Sequence, residues 1–401
     1  KEEIKNFIGE ILMSNQKEFD FVVYGATGFT GKLVIEYLVL KYKENTDFSW
    51  AMAGRSLEKL NSVKESKGVP DHIPLIEVDS NNISSIESLV SRTKCVMTTV
   101  GPYQLYGNNI VAACASSGTD YVDLCGEPGW MHEKIYEHTE EAKRTGARIV
   151  FSCGFDSIPF DLGVLFLQKE VIKRFGKPAT NVRGRVRAMN GEFSGGTAAS
   201  MRATMGALKE KPELFEILAN PFSLSNGFKG PEQPADNKPL FDEKLETWVS
   251  PFFMAPINSK NIHRSNSLMN HMYGEDFCYN EMWIQGPGDE GKMAAEAISK
   301  MNPFGNAPEP GEGPSRQSRE NGNYDVLFCG DIDDESVHIS VTGDMDPGYG
   351  STSKMITESA ICLVKECNDL EGGVYTSAPS MGEKLIQRLE ENAGLAFNIE
   401  N

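Results

Sequence analysis

Residues Phe19 to Tyr42, FDFVVYGATGFTGKLVIEYLVLKY, constrain this chain more than any other stretch. An apolar, β-branched and aromatic run, Phe19–Tyr24, leads into a turn carrying Gly25, Gly28 and Gly31. Leu33, Val34, Leu38 and Val39 then recur at roughly helical spacing. Strand, glycine-rich turn and helix, in that order, build a nucleotide-phosphate site. So tight a turn needs residues without Cβ, so that backbone N–H groups can approach a pyrophosphate. The helix N-terminus adds aligned donors and partial positive charge. Gly25, Thr27, Gly28, Phe29, Thr30 and Gly31 are therefore the expected phosphate-binding residues. The spacing is G-x-x-G-x-x-G, not G-x-G-x-x-G, and taken alone it also fits an ordinary strand-turn-helix. A second strand at Ser49–Ala53, running into Gly54, Arg55 and Ser56, favours the site. At that place in a dinucleotide fold an acid accepts from a ribose 2′-hydroxyl, whereas an arginine accommodates a 2′-phosphate. Arg55, with Ser56 beside it, predicts NADP(H); the plain alternative is a solvated loop cation.

Strand and helix patterns alternate as far as about Gly176. Further strands are expected at Pro74–Asp79, Cys95–Val100, Asp120–Leu124 and Arg148–Cys153, with helices beginning near Gly31, Ser56, Ile83, Asn108, Trp130 and Asp161. Strands separated by helices pair in parallel through right-handed crossovers. The expected fold class is α/β, a doubly wound Rossmann-type parallel sheet over residues 19–176, followed by a second α+β domain over 177–345. Residues 1–18 read as a polar N-terminal extension, 302–323 as a flexible Pro/Gly-rich loop, and 346–401 as C-terminal helices that pack back on the first domain. A length of 401 residues supports two domains, and 40% hydrophobic residues are ample for their cores.

A net charge of −18 argues against a nucleic-acid partner and against anionic membrane surfaces. No run of 18 apolar residues is present, so no integral membrane segment is expected. Eight cysteines are scattered with no CxxC pair and no zinc-type spacing, which suits buried free thiols in a reducing compartment and no metal. The N-terminus lacks a signal-peptide core, so a cytoplasmic protein is the expectation; a peptide removed ahead of Lys1 is compatible with it.

Ligands of an open parallel sheet bind outside the carboxyl ends of its strands. That rule selects three loops: Val100–Gly107, Asp123–Gly129 and Ser152–Gly163. Gly101 and Pro102 let the backbone pass close to a cofactor, and with Tyr103 and Asp79 they complete the cofactor-binding set. The Tyr103 hydroxyl is placed to donate to a developing oxyanion. Asp123, Glu127 and Asp156 are carboxyls at the same edge, any of which becomes a general acid if burial raises its pKa. For each of the four candidates, Tyr103, Asp123, Glu127 and Asp156, the alternative is a capping or turn role. Arg183, Arg185 and Arg187 alternate and would share one strand face, either to receive a carboxylate or phosphopantetheine-type group or as a solvated face. Ser194–Thr197, SGGT, is either an anion-facing loop or a simple N-cap. His132 and His138 are not spaced to share a metal, and Lys260, His263 and Arg264 read as a small surface cluster.

Taken together, GATGFTG, AGRS, VGPYQLYG, YVDLCGEPGW and SCGFDSIPFDLG resemble the saccharopine dehydrogenase-like oxidoreductase family, which includes the bacterial trans-acting enoyl reductases. SGGTAAS, SPFFMAPIN, DMDPGYGSTSKM and GGVYTSAPSMGEKLIQRL extend the resemblance through most of the chain. It implies an NADP(H)-binding Rossmann domain and a second domain with a mixed sheet. Three functions stay open. One is NADPH-dependent reduction of a lipid-like acyl or enoyl substrate, favoured by the apolar segment near residue 255. The second is imine reduction in amino-acid metabolism, favoured by the arginine triplet. The third is a non-catalytic NADPH-binding sensor or scaffold. The partner is a small molecule or an acyl substrate, and a homodimer is compatible. Animal members of the family are associated with lipid droplets and carry an apolar segment that this chain lacks.

Overall fold

The computed structural model describes residues 17–44, 46–192, 194–301, 308–309 and 311–401. Among them, fourteen strands run in chain order. In the first half these are β1 Phe19–Tyr24, β2 Trp50–Gly54, β3 Leu75–Glu77, β4 Thr93–Thr98, β5 Asp120–Val122, β6 Arg148–Val150 and β7 Asn181–Asn190. They continue as β8 Leu240–Asp242, β9 Thr247–Pro251, β10 Cys278–Gly286, β11 Asn323–Ile332, β12 Glu335–Gly343, β13 Gly373–Tyr375 and β14 Leu395–Ile399. The first sheet has the order β13-β6-β5-β4-β1-β2-β3, and all its pairs are parallel. Every residue of β1 and β2 is buried, because helices cover both faces. The strand order reverses between β1 and β4, which puts the ligand crevice beside Gly25.

The second sheet, β14-β12-β11-β7-β10-β9-β8, is mixed: β7 and β10 are parallel, and the remaining pairs are antiparallel. Val182, Gly184 and Val186 of β7 share one face, and the Ile158–Phe175 helix packs on the neighbouring β11 and β12. One continuous apolar core runs from Phe21 and Val23 through Phe155, Phe160 and Phe328 to Val341, so the two sheets are not insulated from each other. A second core fills the opposite face of the first sheet, around Val22, Val96, Ile110 and Ile149.

Residues 346–401, expected as helices, supply more than that. Beside the Thr352–Glu366 and Gly382–Arg388 helices they add β13 to the edge of the first sheet and β14 to the edge of the second. Strands of three and five residues leave too short a periodic pattern to read. The contact with the first domain is polar at its centre. The buried Glu358 carboxylate accepts from Tyr37 Oη at 2.7 Å, Tyr42 Oη at 2.6 Å and Arg388 Nη2 at 2.6 Å. Of the expected N-terminal extension, residues 1–16 lie outside the described residues. Of the expected loop at 302–323, residues 302–307 and 310 do so as well, while Arg316–Glu320 is a short helix capped by Ser315.

Candidate active site

The phosphate turn has the geometry its glycines require. Gly25 sits at φ +95°, and a Cβ there would come within 2.8 Å of Thr99 Oγ1 and Val100 Cγ2. A Cβ on Gly31 would collide with the Gly25 carbonyl oxygen. Gly25 and Ala26 donate to the Ala53 carbonyl, at 3.0 and 3.2 Å, which ties the turn to β2. The Phe29–Tyr42 helix makes its first i to i−4 bond from Lys32 N–H to Gly28 C=O at 3.0 Å, leaving the amides of Phe29, Thr30 and Gly31 ahead of the ladder. Gly28 is exposed, and Thr27 and Thr30 are half-buried, so among the described residues no side chain fills the turn.

The rest of the expected cofactor set lies on the same edge. Arg55 is exposed directly after β2. Ser56 Oγ accepts from Lys59 N–H at 3.3 Å and so caps the Leu57–Lys67 helix. Asp79 Oδ1 accepts from Asn81 N–H at 2.9 Å. Arg55 and Asp79 both act on the Tyr24 phenol, which burial pushes up to about 12. Gly101, exposed, and Pro102, buried, follow β4. From later in the chain, Tyr349 stacks edge-on against Phe29 at 5.3 Å, and the Arg319 guanidinium lies 5.8 Å from the same ring. Open donors, a cradle that excludes Cβ and an exposed guanidinium at the end of β2 fit an NADP(H) dinucleotide.

The four catalytic candidates separate sharply. The Tyr103 hydroxyl is buried, donates to the Thr98 carbonyl at 3.2 Å and accepts from Leu124 N–H at 3.0 Å. It joins two loops, and its surroundings push its pKa well above the ordinary phenol value, chiefly by burial. Glu127 accepts from the amides of Tyr103 and Gln104, each at 2.9 Å, and so caps the Tyr103–Tyr106 helical turn from the neighbouring loop. Asp123 is fully buried and accepts from Cys125 N–H, Ser152 N–H and the Tyr121 hydroxyl. Burial nevertheless pushes its pKa up to about 7. Asp156 is different: Oδ1 is shielded from solvent and has no hydrogen-bond partner. Burial alone pushes that carboxyl up to about 7.

The surroundings of Asp156 escaped the sequence reading. Ser157 Oγ accepts from Asn261 Nδ2 at 2.8 Å, and Asn258, one turn earlier on the Ala255–Leu268 helix, donates to Glu281 Oε1 at 2.7 Å. Glu281 also accepts from Tyr279 Oη at 2.6 Å. Its carboxyl is pushed up to about 8 by burial, with a further contribution from Asp156. The Oδ1 atoms of Asn258 and Asn261 are buried without partners. Half-buried Leu124 follows β5, Phe253 and Met254 lead into the Ala255–Leu268 helix, and Trp283 lies two residues after Glu281 in β10. The helix that carries the asparagines, APINSKNIHRSNSL, is buried yet polar, so no apolar stripe marks it.

The remaining residues singled out in the sequence take the following places. Lys260, His263 and Arg264 are not a surface cluster; each is at most 2% exposed. Arg183, Arg185 and Arg187 do share one face, but carboxylates of the same chain occupy them. Arg183 and Arg185 grip Asp242 at 2.6 and 2.8 Å, and Arg187 pairs with Asp325 at 2.8 Å and Glu400 at 2.5 Å. Ser194 caps the Gly195–Glu210 helix through Thr197 N–H at 3.5 Å, while its own N–H donates to the Tyr349 hydroxyl. His132 meets the Ser223 carbonyl at 2.7 Å. Among the described residues no three His, Cys, Asp or Glu side chains are grouped to hold a metal, and no helix is long and apolar enough to cross a membrane.

A Rossmann sheet with this phosphate turn, joined to a mixed-sheet domain that closes over its carboxyl edge, defines an NADP(H)-dependent oxidoreductase. Residues 21–150 match the saccharopine dehydrogenase NADP binding domain. A putative trans-acting enoyl reductase of Mycobacterium tuberculosis is 35% identical, over 94% of this chain and 97% of that protein. The trans-acting enoyl reductase of Mycobacterium leprae is 33% identical, over 94% and 96%. Saccharopine dehydrogenase (L-Glu forming) from Saccharomyces cerevisiae shares the fold with a TM-score of 0.54 at 13% identity, over 96% of this chain and all of that one. The chain belongs to the saccharopine dehydrogenase-like oxidoreductase family, alongside the mycobacterial trans-acting enoyl reductases.

Proposed function

We propose that this protein is an NADPH-dependent reductase of an enoyl or related lipid-like acyl substrate, with Asp156 as its proton donor. The observation that carries this reading is the unpartnered Asp156 oxygen, shielded at the carboxyl end of β6 on a carboxyl pushed up to about 7. NADPH, when bound, supplies a hydride. Gly25–Gly31 would hold its diphosphate by backbone amides, and Arg55 its 2′-phosphate. Asp156, protonated near neutrality, would deliver the proton that balances the hydride. Leu124, Phe253, Met254 and Trp283 present apolar surface suited to an acyl chain and to keeping water out. Tyr103, Asp123 and Glu127 act as scaffold: their hydrogen bonds fix the loops after β4, β5 and β6.

The names of the mycobacterial relatives support the enoyl class. The imine reading loses its arginine set to Asp242, Asp325 and Glu400. The test is NADPH oxidation with a panel of enoyl thioesters, run beside 2-oxoglutarate plus a lysine-derived aldehyde. Turnover of the thioesters is the expected result. Turnover with the aldehyde pair alone would establish the imine reaction instead. Tight NADPH binding with neither substrate consumed would point to a sensor.

A further inference from the structure

Away from the crevice, two thiols stand together. All eight cysteines are free, and seven are buried. Cys362 lies in the last turns of the Thr352–Glu366 helix and Cys367 is the residue that ends it; their Sγ atoms are 3.9 Å apart. Cys367 lines a surface cleft of about 310 Å³, together with Leu370, Pro379, Met381 and Lys384. The remaining six thiols are pushed up, chiefly by burial. Cys367 alone is held below the ordinary thiol value, first by its hydrogen bond with Cys362 and then by the Lys384 and Arg148 cations. The same hydrogen bond raises Cys362. The sulfur that lines the cleft thus has a second sulfur in contact behind it, which is the arrangement of an attacking and a resolving thiol.

We propose that Cys362 and Cys367 form a reversible disulfide by exchange with low-molecular-weight disulfides that enter this cleft. The Cys367 thiolate attacks one sulfur of the small disulfide, the S–S bond breaks, and the first small thiolate leaves and takes up a proton. Cys362 attacks Cys367 Sγ, the mixed S–S bond breaks, and the proton of Cys362 passes to the departing second small thiolate. The protein gives up two electrons and two protons, and the small disulfide is reduced to two thiols. Closure moves the sulfurs from 3.9 Å to a bonded separation of about 2.05 Å, which the end of a helix can absorb by unwinding. The new bond would clamp the segment whose Cys367 carbonyl accepts from Arg148 Nη1 at 2.5 Å, at the start of β6.

The test incubates the full chain with oxidised glutathione and reads intact mass and a peptide map, with NADPH binding as the check that the fold persists. Wild type should lose two hydrogens, with residues 362 and 367 cross-linked, and regain them with a dithiol reductant. Cys362→Ser should trap a glutathione adduct on Cys367, and Cys367→Ser should show neither product. An unchanged mass in folded wild type, or an adduct confined to Cys278, would overturn the proposal. The wild-type peptide map decides the matter even if a variant fails to fold.

Discussion

Three carboxyl groups, Asp123, Glu127 and Asp156, crowd the loops after β5 and β6, and their hydrogen bonds set them apart. Asp123 and Glu127 spend both oxygens on neighbouring groups, whereas Asp156 keeps Oδ1 unbonded. Removing a general acid costs about 10²–10⁴ in rate. Asp156→Asn should lower kcat by that order and leave NADPH affinity within about twofold, whereas a scaffold role would leave kcat of the folded variant nearly intact. Because the proposed donor is the protonated form and burial pushes the carboxyl up to about 7, kcat of the wild type should fall as pH rises through that value. The Asn variant should lose this dependence, which a pH–rate profile would reveal. Arg55, exposed directly after β2, is the residue proposed above to hold the 2′-phosphate. A charge-assisted hydrogen bond contributes roughly 1.5–3 kcal/mol. Arg55→Ala should weaken NADPH at least about tenfold and NADH much less by calorimetry; equal losses would refute the assignment.

The Ala255–Leu268 helix shows how an element can be buried without being apolar. Its polar side chains serve as ties between segments. Arg264 Nη1 donates to the Leu224 carbonyl at 2.5 Å and Nη2 to the Val374 carbonyl at 2.6 Å. Lys260 donates to the Leu218 carbonyl at 2.8 Å. The loop after the Leu214–Ala219 helix and the edge strand β13 are thereby anchored to one helix, and Asn258 and Asn261 on it border the Asp156 site. Arg264→Met keeps much of the packing volume but leaves buried carbonyls unpaired, at roughly 1–3 kcal/mol each. Its denaturant midpoint should drop accordingly, and an unchanged midpoint would show that water replaces the guanidinium at no cost.

At the scale of the molecule, residues 346–401 bind the halves together. β13 and β14 close opposite sheets, and the Glu358 carboxylate gathers Tyr37, Tyr42 and Arg388 from the first domain and the C-terminal helices. Glu358 is fully buried, so losing its cation strands a charge, at about 3–5 kcal/mol. Arg388→Met should reduce global stability by that order in equilibrium unfolding, with one cooperative transition, because the apolar core is continuous between the domains. Two separate transitions would contradict that continuity.

How much of this was legible beforehand follows from the range of the interactions. The β1 run, the glycine turn and the alternation that follows are local: side-chain period and the absence of Cβ act within a few residues. The parallel sheet and the glycine turn therefore stand in the amino-acid sequence, as does the position of Arg55 directly after β2. The roles of Asp123, Glu127 and Asp156 are not local. Three acids on neighbouring loops look alike until folding brings Tyr103, Tyr121 and Ser152 to two of them and leaves the third without a donor. The arginine triplet was placed on its shared face by strand period alone, yet its partners Asp242, Asp325 and Glu400 come from distant segments. Periodicity records which way a side chain points; desolvation and hydrogen-bond satisfaction depend on what arrives opposite it, and that is decided by the tertiary structure.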